Sequence, residues 1–192
     1  MNRATYLCLK WQAMAWLVIG RAQPALQLFN RMLQRWPDDA YALASRAHVL
    51  AQNGRRDDAL ADMLRLTQVH PGSGRYWFNL GFMLEEDGRW DEALAAFTRC
   101  TEISPQLDRA WYGLGLVLIR LRRYDEAVLA LKRNTELQPM SPYGWYQLAR
   151  VHVDRKDTAA AAKIIRHLKG FEPKVAAQLE RETGLQVGAV AS

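Results

Sequence analysis

The chain has 192 residues, of which 49% are hydrophobic and 24% charged, with a formal net charge of +6. That length suits one large domain or a short repeat array, and apolar and aromatic residues spread throughout exclude disorder over most of it. Two distant cysteines, Cys8 and Cys100, exclude a disulfide framework and a cysteine-only zinc site, and they fit a reducing compartment.

The first apolar run, AMAWLVIG at 13–20, is too short to span a bilayer, and no small-x-small cleavage site follows it. A cytoplasmic location is therefore expected. Arginine outnumbers lysine 20 to 6 and alanine is abundant, which fits a G+C-rich bacterial source.

Five prolines then mark out the chain. Pro37, Pro71, Pro105, Pro139 and Pro173 stand 34 residues apart, so the sequence is read as copies of one unit. The first copy, 6–39, carries Leu9, Ala13, Ala25 and Phe29; the second, 40–73, carries Leu43, Ala47, Ala59 and Met63. In the third, 74–107, the matching residues are Trp77, Gly81, Ala93 and Phe97, and in the fourth, 108–141, Trp111, Gly115, Ala127 and Leu131. The fifth, 142–175, has Trp145, Ala149, Ala161 and Ile165. Leu80, Leu114 and Leu148 add a further large apolar position in the last three copies.

Apolar residues at three- and four-residue intervals describe helical faces. A Gly or Ala on each helix permits close approach, and the large residues fill the space around that contact. Asn53-Gly54 and Asp87-Gly88 end first helices, and the periodic proline ends second ones. Asp57, Asp91 and Asp125, followed by Glu92 and Glu126, lie where acids favour a helix N-terminus through the dipole or by capping. After Pro173, residues 176–184 predict one more helix, with Val175 and Leu179 inward and Gly184 at its end, and 185–192 read as a flexible tail. Such a terminal helix covers the last apolar face.

Trp77, Leu80, Gly81, Ala93, Phe97 and Pro105 meet the W-x2-L-G…A-x3-F…P pattern over 34 residues, and Trp111, Leu114, Gly115, Ala127 and Pro139 repeat it. On these residues the chain resembles the tetratricopeptide repeat family. The usual tyrosine position departs from the pattern, holding Trp16, Leu50, Leu84, Leu118 and His152. The resemblance implies an all-α, right-handed α-solenoid of five helix-turn-helix repeats with a C-terminal capping helix.

The resemblance also implies that first helices line a concave groove through their second, fifth and ninth positions, with the twelfth and thirteenth beside them. In this sequence the second position holds Tyr41, Arg75, Arg109 and Tyr143, and the fifth holds Lys10, Phe78, Tyr112 and Tyr146. The ninth holds His48, Phe82 and Arg150, with Glu85, Glu86 and Asp154 on one side. An aromatic and basic groove suits a protein or peptide ligand of acidic or aromatic character. Some family members clamp acidic chaperone tails, but Met14, Ser45 and Asn79 replace three of the five expected residues, so that ligand is not expected.

No HExxH, GxGxxG, GxxxxGK or GxSxG pattern occurs, so no catalytic residue, metal or cofactor is expected and the chain is not read as an enzyme. Trp77, Trp111 and Trp145 are assigned to the core. The function expected is an interaction adaptor or scaffold. The alternatives are a helical-repeat nucleic-acid binder or an accessory subunit of an enzyme complex. Net charge by copy, with residues 1–5 joined to the first, runs from +3 in the first to −3 in the third and +4 in the fifth, which breaks any continuous phosphate track and argues against nucleic acid.

Overall fold

The computed structural model describes residues 3–188, and among these it contains eleven α-helices and no strand. They fall into two compact units, Met1–Met83 and Leu84–Ser192. The first comprises α1 (Arg3–Val18), α2 (Ala22–Arg35), α3 (Ala40–Gln52), α4 (Arg56–Val69) and most of α5 (Gly74–Glu86). The second takes the end of α5 and then α6 (Trp90–Ile103), α7 (Asp108–Arg120), α8 (Tyr124–Leu137), α9 (Pro142–Asp154), α10 (Thr158–Lys169) and α11 (Pro173–Thr183). In each unit successive helices pack as pairs, α1 on α2 and α3 on α4, then α7 on α8 and α9 on α10.

The 34-residue period survives into the helix starts. First helices begin at Ala40, Gly74, Asp108 and Pro142, and second helices at Ala22, Arg56, Trp90, Tyr124 and Thr158. Ala25, Ala59, Ala93, Ala127 and Ala161 each have 0% exposed surface. On α7 small residues are required by contact: a Cβ added at Gly115 would lie 2.7 Å from Leu131 Cγ. Gly113 meets the Phe97 ring in the same way, at 2.6 Å, and Phe97 is itself buried.

The tryptophans are half-buried rather than fully in the core. Their indole Nε1 groups donate to the carbonyls of Pro71, Pro105 and Pro139 at 2.9, 2.9 and 2.8 Å. Each thus ties the start of a first helix to a carbonyl of the turn before it. The C-caps of the second helices are Trp36, His70, Ser104 and Gln138, each directly before its proline.

Within each pair the turn requires a left-handed residue. Gly20, Gly54 and Gly88 have φ of 75, 76 and 72°, and the same position in the fourth and fifth copies is Arg122 at 59° and Lys156 at 62°. Only the glycines adopt this backbone without steric cost.

The recurrent acids do not cap. The N-cap residues of α4, α6 and α8 are Arg55, Arg89 and Arg123, with no side-chain cap bond. The acids answer those arginines instead: Asp58 pairs with Arg55 at 2.7 Å, Glu92 with Arg89 at 2.6 Å and Glu126 with Arg123 at 2.7 Å. Asp125 pairs with Arg155 at 2.6 Å. Asp39 and Asp157 do cap, accepting from Ala42 N and Ala160 N at 2.8 and 3.1 Å.

Three departures from the repeat alter the chemistry between helices without breaking the frame. Where later copies place Leu80, Leu114 and Leu148, the second copy has Arg46; where they place Ala96, Ala130 and Ile164, it has Asp62. Arg46 donates to both Asp62 oxygens at 2.8 and 2.6 Å and to Asn30 Oδ1 at 2.7 Å, joining α2, α3 and α4. At the tyrosine position, His152 is buried in line with Leu50, Leu84 and Leu118. Its Nδ1 lies 3.3 Å from Asp157 Oδ2 without the alignment of a hydrogen bond. Burial lowers its pKa below the ordinary 6.5, outweighing the opposing pull of Asp157, while Arg155 and Lys132 add to the lowering.

At the C-terminus, α11 buries Ala176 and Leu179, Val175 is only half-buried, and Gly184 at φ 71° ends the helix. Residues 185–187 are held rather than loose. Val187 is buried and its N–H donates to Glu180 Oε1 at 2.7 Å, while Lys169 Nζ donates to the Val187 carbonyl and pairs with Glu180 at 2.8 Å. The expected flexible tail is thus packed at its start, and residues 189–192 lie outside the described residues.

Three outcomes are expected in thermal and denaturant unfolding. Asp62→Ala should cost about 1–3 kcal/mol by leaving the half-buried Arg46 without its acid, whereas Arg46→Leu with Asp62→Ala should fall within about 1 kcal/mol of the parent or exceed it. Arg122→Gly and Lys156→Gly should each raise stability by about 0.5–1 kcal/mol. For His152, the folded pKa lies below the unfolded one, so its contribution is intact above pH 6.5 and is lost as pH falls from there toward the lowered folded value. His152→Leu should therefore narrow the gap in melting temperature between pH 7.5 and pH 5.5.

Candidate functional site

In the N-terminal unit the residues expected in the groove form small cation–aromatic pairs. Lys10 Nζ lies 4.1 Å from the Tyr41 ring centroid, and Tyr41 meets Phe29 edge-on at 6.3 Å. Burial raises the Tyr41 hydroxyl pKa. The exposed Arg75 stands 5.1 Å over the Tyr76 ring and reaches its hydroxyl at 3.3 Å. His48 and Phe82 are exposed and Phe78 is half-buried. On α1, Leu7, Trp11, Met14 and Val18 expose apolar surface at helical spacing.

In the C-terminal unit three of the expected residues surround one recess. Arg109, Tyr112 and Tyr143 line a cavity of about 180 Å3 with Asn134 and Gln138. The Asn134 side chain donates to the Asp108 carbonyl at 2.9 Å, which fixes the recess wall between α7 and α8. Tyr143 is 70% exposed at its mouth.

Arg150 belongs to a second recess of about 330 Å3, together with Glu85, Arg120, Gln147 and Asp154. The Glu85 carboxyl is held above its ordinary pKa mainly by burial, with Arg120 opposing and Glu86 reinforcing the shift. Arg120 also stands 5.7 Å over the Trp90 ring. Arg150 in turn lies 5.8 Å over the Tyr146 ring. The Tyr146 hydroxyl donates to Glu182 on α11, and that contact is the main cause of its raised pKa.

The expected residues therefore cluster as Lys10 with Tyr41, as Arg109, Tyr112 and Tyr143, and as Tyr146 with Arg150. Arg120 and Gln147 escaped the sequence reading. Arg120 occupies the thirteenth repeat position, beside the groove in the pattern, and could have been found there. Glu182 could not, because it lies outside the repeats and arrives only when α11 docks.

A third recess of about 610 Å3 lies among α8, α9 and α10, with Trp145, His152 and His167 along it and Lys132 and Lys163 at its sides. The Trp145 and His167 rings meet at a tilt of 58° with 4.5 Å between centroids. Among the described residues no three His, Cys, Asp or Glu side chains are grouped to hold a metal ion, and no helix is long and apolar enough to cross a membrane.

Two family profiles, each described as Tetratricopeptide repeat, match residues 45–108 and 84–146. No curated protein matches the sequence. Among solved structures, the MamA protein is 17% identical with a TM-score of 0.79 over the whole of both chains. YrrB is also 17% identical, with a TM-score of 0.77 over 88% of each chain. A tetratricopeptide repeat protein from Parabacteroides merdae is 18% identical, with a TM-score of 0.81 over 94% of this chain and 74% of its own. At such identities the likeness establishes the fold. Together with the two profile matches and the 34-residue frame in sequence and structure, it shows that this chain belongs to the tetratricopeptide repeat family.

Proposed function

We propose that the chain is a noncovalent adaptor that binds an acidic or aromatic segment of a partner protein on the exposed face of its first helices. The observation that carries this reading is the pairing of arginine with tyrosine beside open recesses, Arg109 with Tyr112 and Tyr143, and Arg150 with Tyr146. Rigid aromatics and arginines are the side chains that most often dominate binding energy, because they bury much surface at small entropic cost. An arginine fork also grips a carboxylate bidentately. YrrB, a relative in fold, is a TPR protein with an unusual peptide-binding site, which adds support.

Three arginines of the second helices are poor candidates for a phosphate track. Arg65 pairs with Asp38, Arg99 with Glu102 and Arg133 with Glu136, at 2.6, 2.8 and 2.9 Å. A cytoplasmic setting suits the two free cysteines, Cys8 exposed and Cys100 buried.

Arg75→Glu, Arg109→Glu and Arg150→Glu together should abolish capture of the partner from cells of the source, with circular dichroism and melting temperature nearly unchanged. Capture by the triple variant equal to that of the parent would rule the reading out.

A further inference from the structure

Glu182 has a place in the fold that the repeat pattern does not explain. It stands near the end of α11, three residues beyond the fully buried Leu179. Its Oε2 accepts the Tyr146 hydroxyl, its Oε1 accepts Gln178 Nε2 at 2.7 Å, and Arg150 Nη1 lies 4.0 Å away. Arg150 Nη1 also reaches the Tyr146 hydroxyl at 3.4 Å. A carboxylate from the chain itself thus rests on the tyrosine and arginine that occupy the fifth and ninth positions of α9.

The contact is separable from the docking of α11. Ala176 and Leu179 carry the buried apolar face, and the Lys169–Glu180–Val187 cluster secures the end of the helix. Glu182 contributes no buried surface of that kind, and its side chain is 36% exposed. Rotating it away would leave α11 seated. Its hold on Arg150 is also incomplete: 4.0 Å is the outer limit of an ion pair, whereas a free carboxylate can approach an arginine fork at two short hydrogen bonds.

We propose that Tyr146 and Arg150 form a carboxylate-receiving site, that Glu182 fills it in the unbound chain, and that an acidic peptide displaces Glu182 on binding. This rests on the adaptor reading above and names the partner chemistry at one end of it. An internal occupant weakens apparent affinity by the fraction of time the site is closed. The capping helix therefore covers the last repeat and also sets a threshold for weakly acidic ligands.

The test uses fluorescence anisotropy with a fluorescein-labelled hexaglutamate peptide, and hexaglutamine as the neutral probe. Glu182→Ala should bind hexaglutamate about fivefold or more tightly than the parent. Glu102→Ala, which removes the same charge from α6, should change affinity less than about twofold, the level expected of a remote exposed charge. Adding Arg150→Gln to Glu182→Ala should erase the gain, and hexaglutamine should bind neither protein. No gain in Glu182→Ala, an equal gain in Glu102→Ala, or a gain that persists without Arg150 would each overturn the proposal. If Glu182→Ala shows no gain while the triple arginine reversal still loses its partner, only the displacement fails and the adaptor reading stands.

Discussion

Two helices approach only as closely as their facing side chains permit, and here that limit is set by five alanines with no exposed surface. Each sits on a second helix, twelve residues after the glycine or alanine of the first helix in the same copy. With nothing larger at the crossing, Phe29, Met63, Phe97, Leu131 and Ile165 can fill the space beside it and become buried. The steric demand is quantitative at Gly113 and Gly115, where an added methyl would overlap the Phe97 ring and the Leu131 side chain. Close-packed interiors transmit such overlaps rather than absorbing them, so the small residue must recur wherever the helix pair recurs.

Once that crossing is set, the surrounding chemistry has latitude. The second copy replaces an apolar pair with Arg46 and Asp62, whose polar groups are answered by a bidentate ion pair and by Asn30 as a third partner. The fifth copy accepts a histidine among leucines and keeps it biased toward the neutral form by burial. The fourth and fifth accept Arg122 and Lys156 at positive φ, since the turn geometry is imposed by the helices on either side. In each case the fold tolerates a local cost because the helix crossing does not depend on it.

The same division separates scaffold from surface. Frame residues are small or apolar and point between helices, whereas the arginines and tyrosines sit at the positions the frame leaves free. Two clusters join residues that the family resemblance assigned to the groove: Arg109 with Tyr112 and Tyr143, and Tyr146 with Arg150. The exposed Arg–Glu pairs at second-helix starts were legible as acids but not in their role. A helix N-terminus attracts carboxylates in general, and only the neighbouring arginine three residues earlier decided their partner. The packing of 185–187 was not legible either, because it depends on Lys169 and Glu180 meeting across two helices.

By itself the sequence determined the repeat length, the helix pairs, the small-residue crossings and the terminal helix, because a period of 34 residues is a local property repeated until it is unambiguous. The tertiary structure alone decided which side chains share a recess and which charges are already answered. It brought Arg120 and Gln147 to the recess beside Arg150, and it laid Glu182 on Tyr146 from a helix outside the repeats. Periodicity encodes the face on which a residue lies. It carries no information about where a side chain ends once two faces meet, since that depends on distances of a few ångströms between residues 36 apart in the chain.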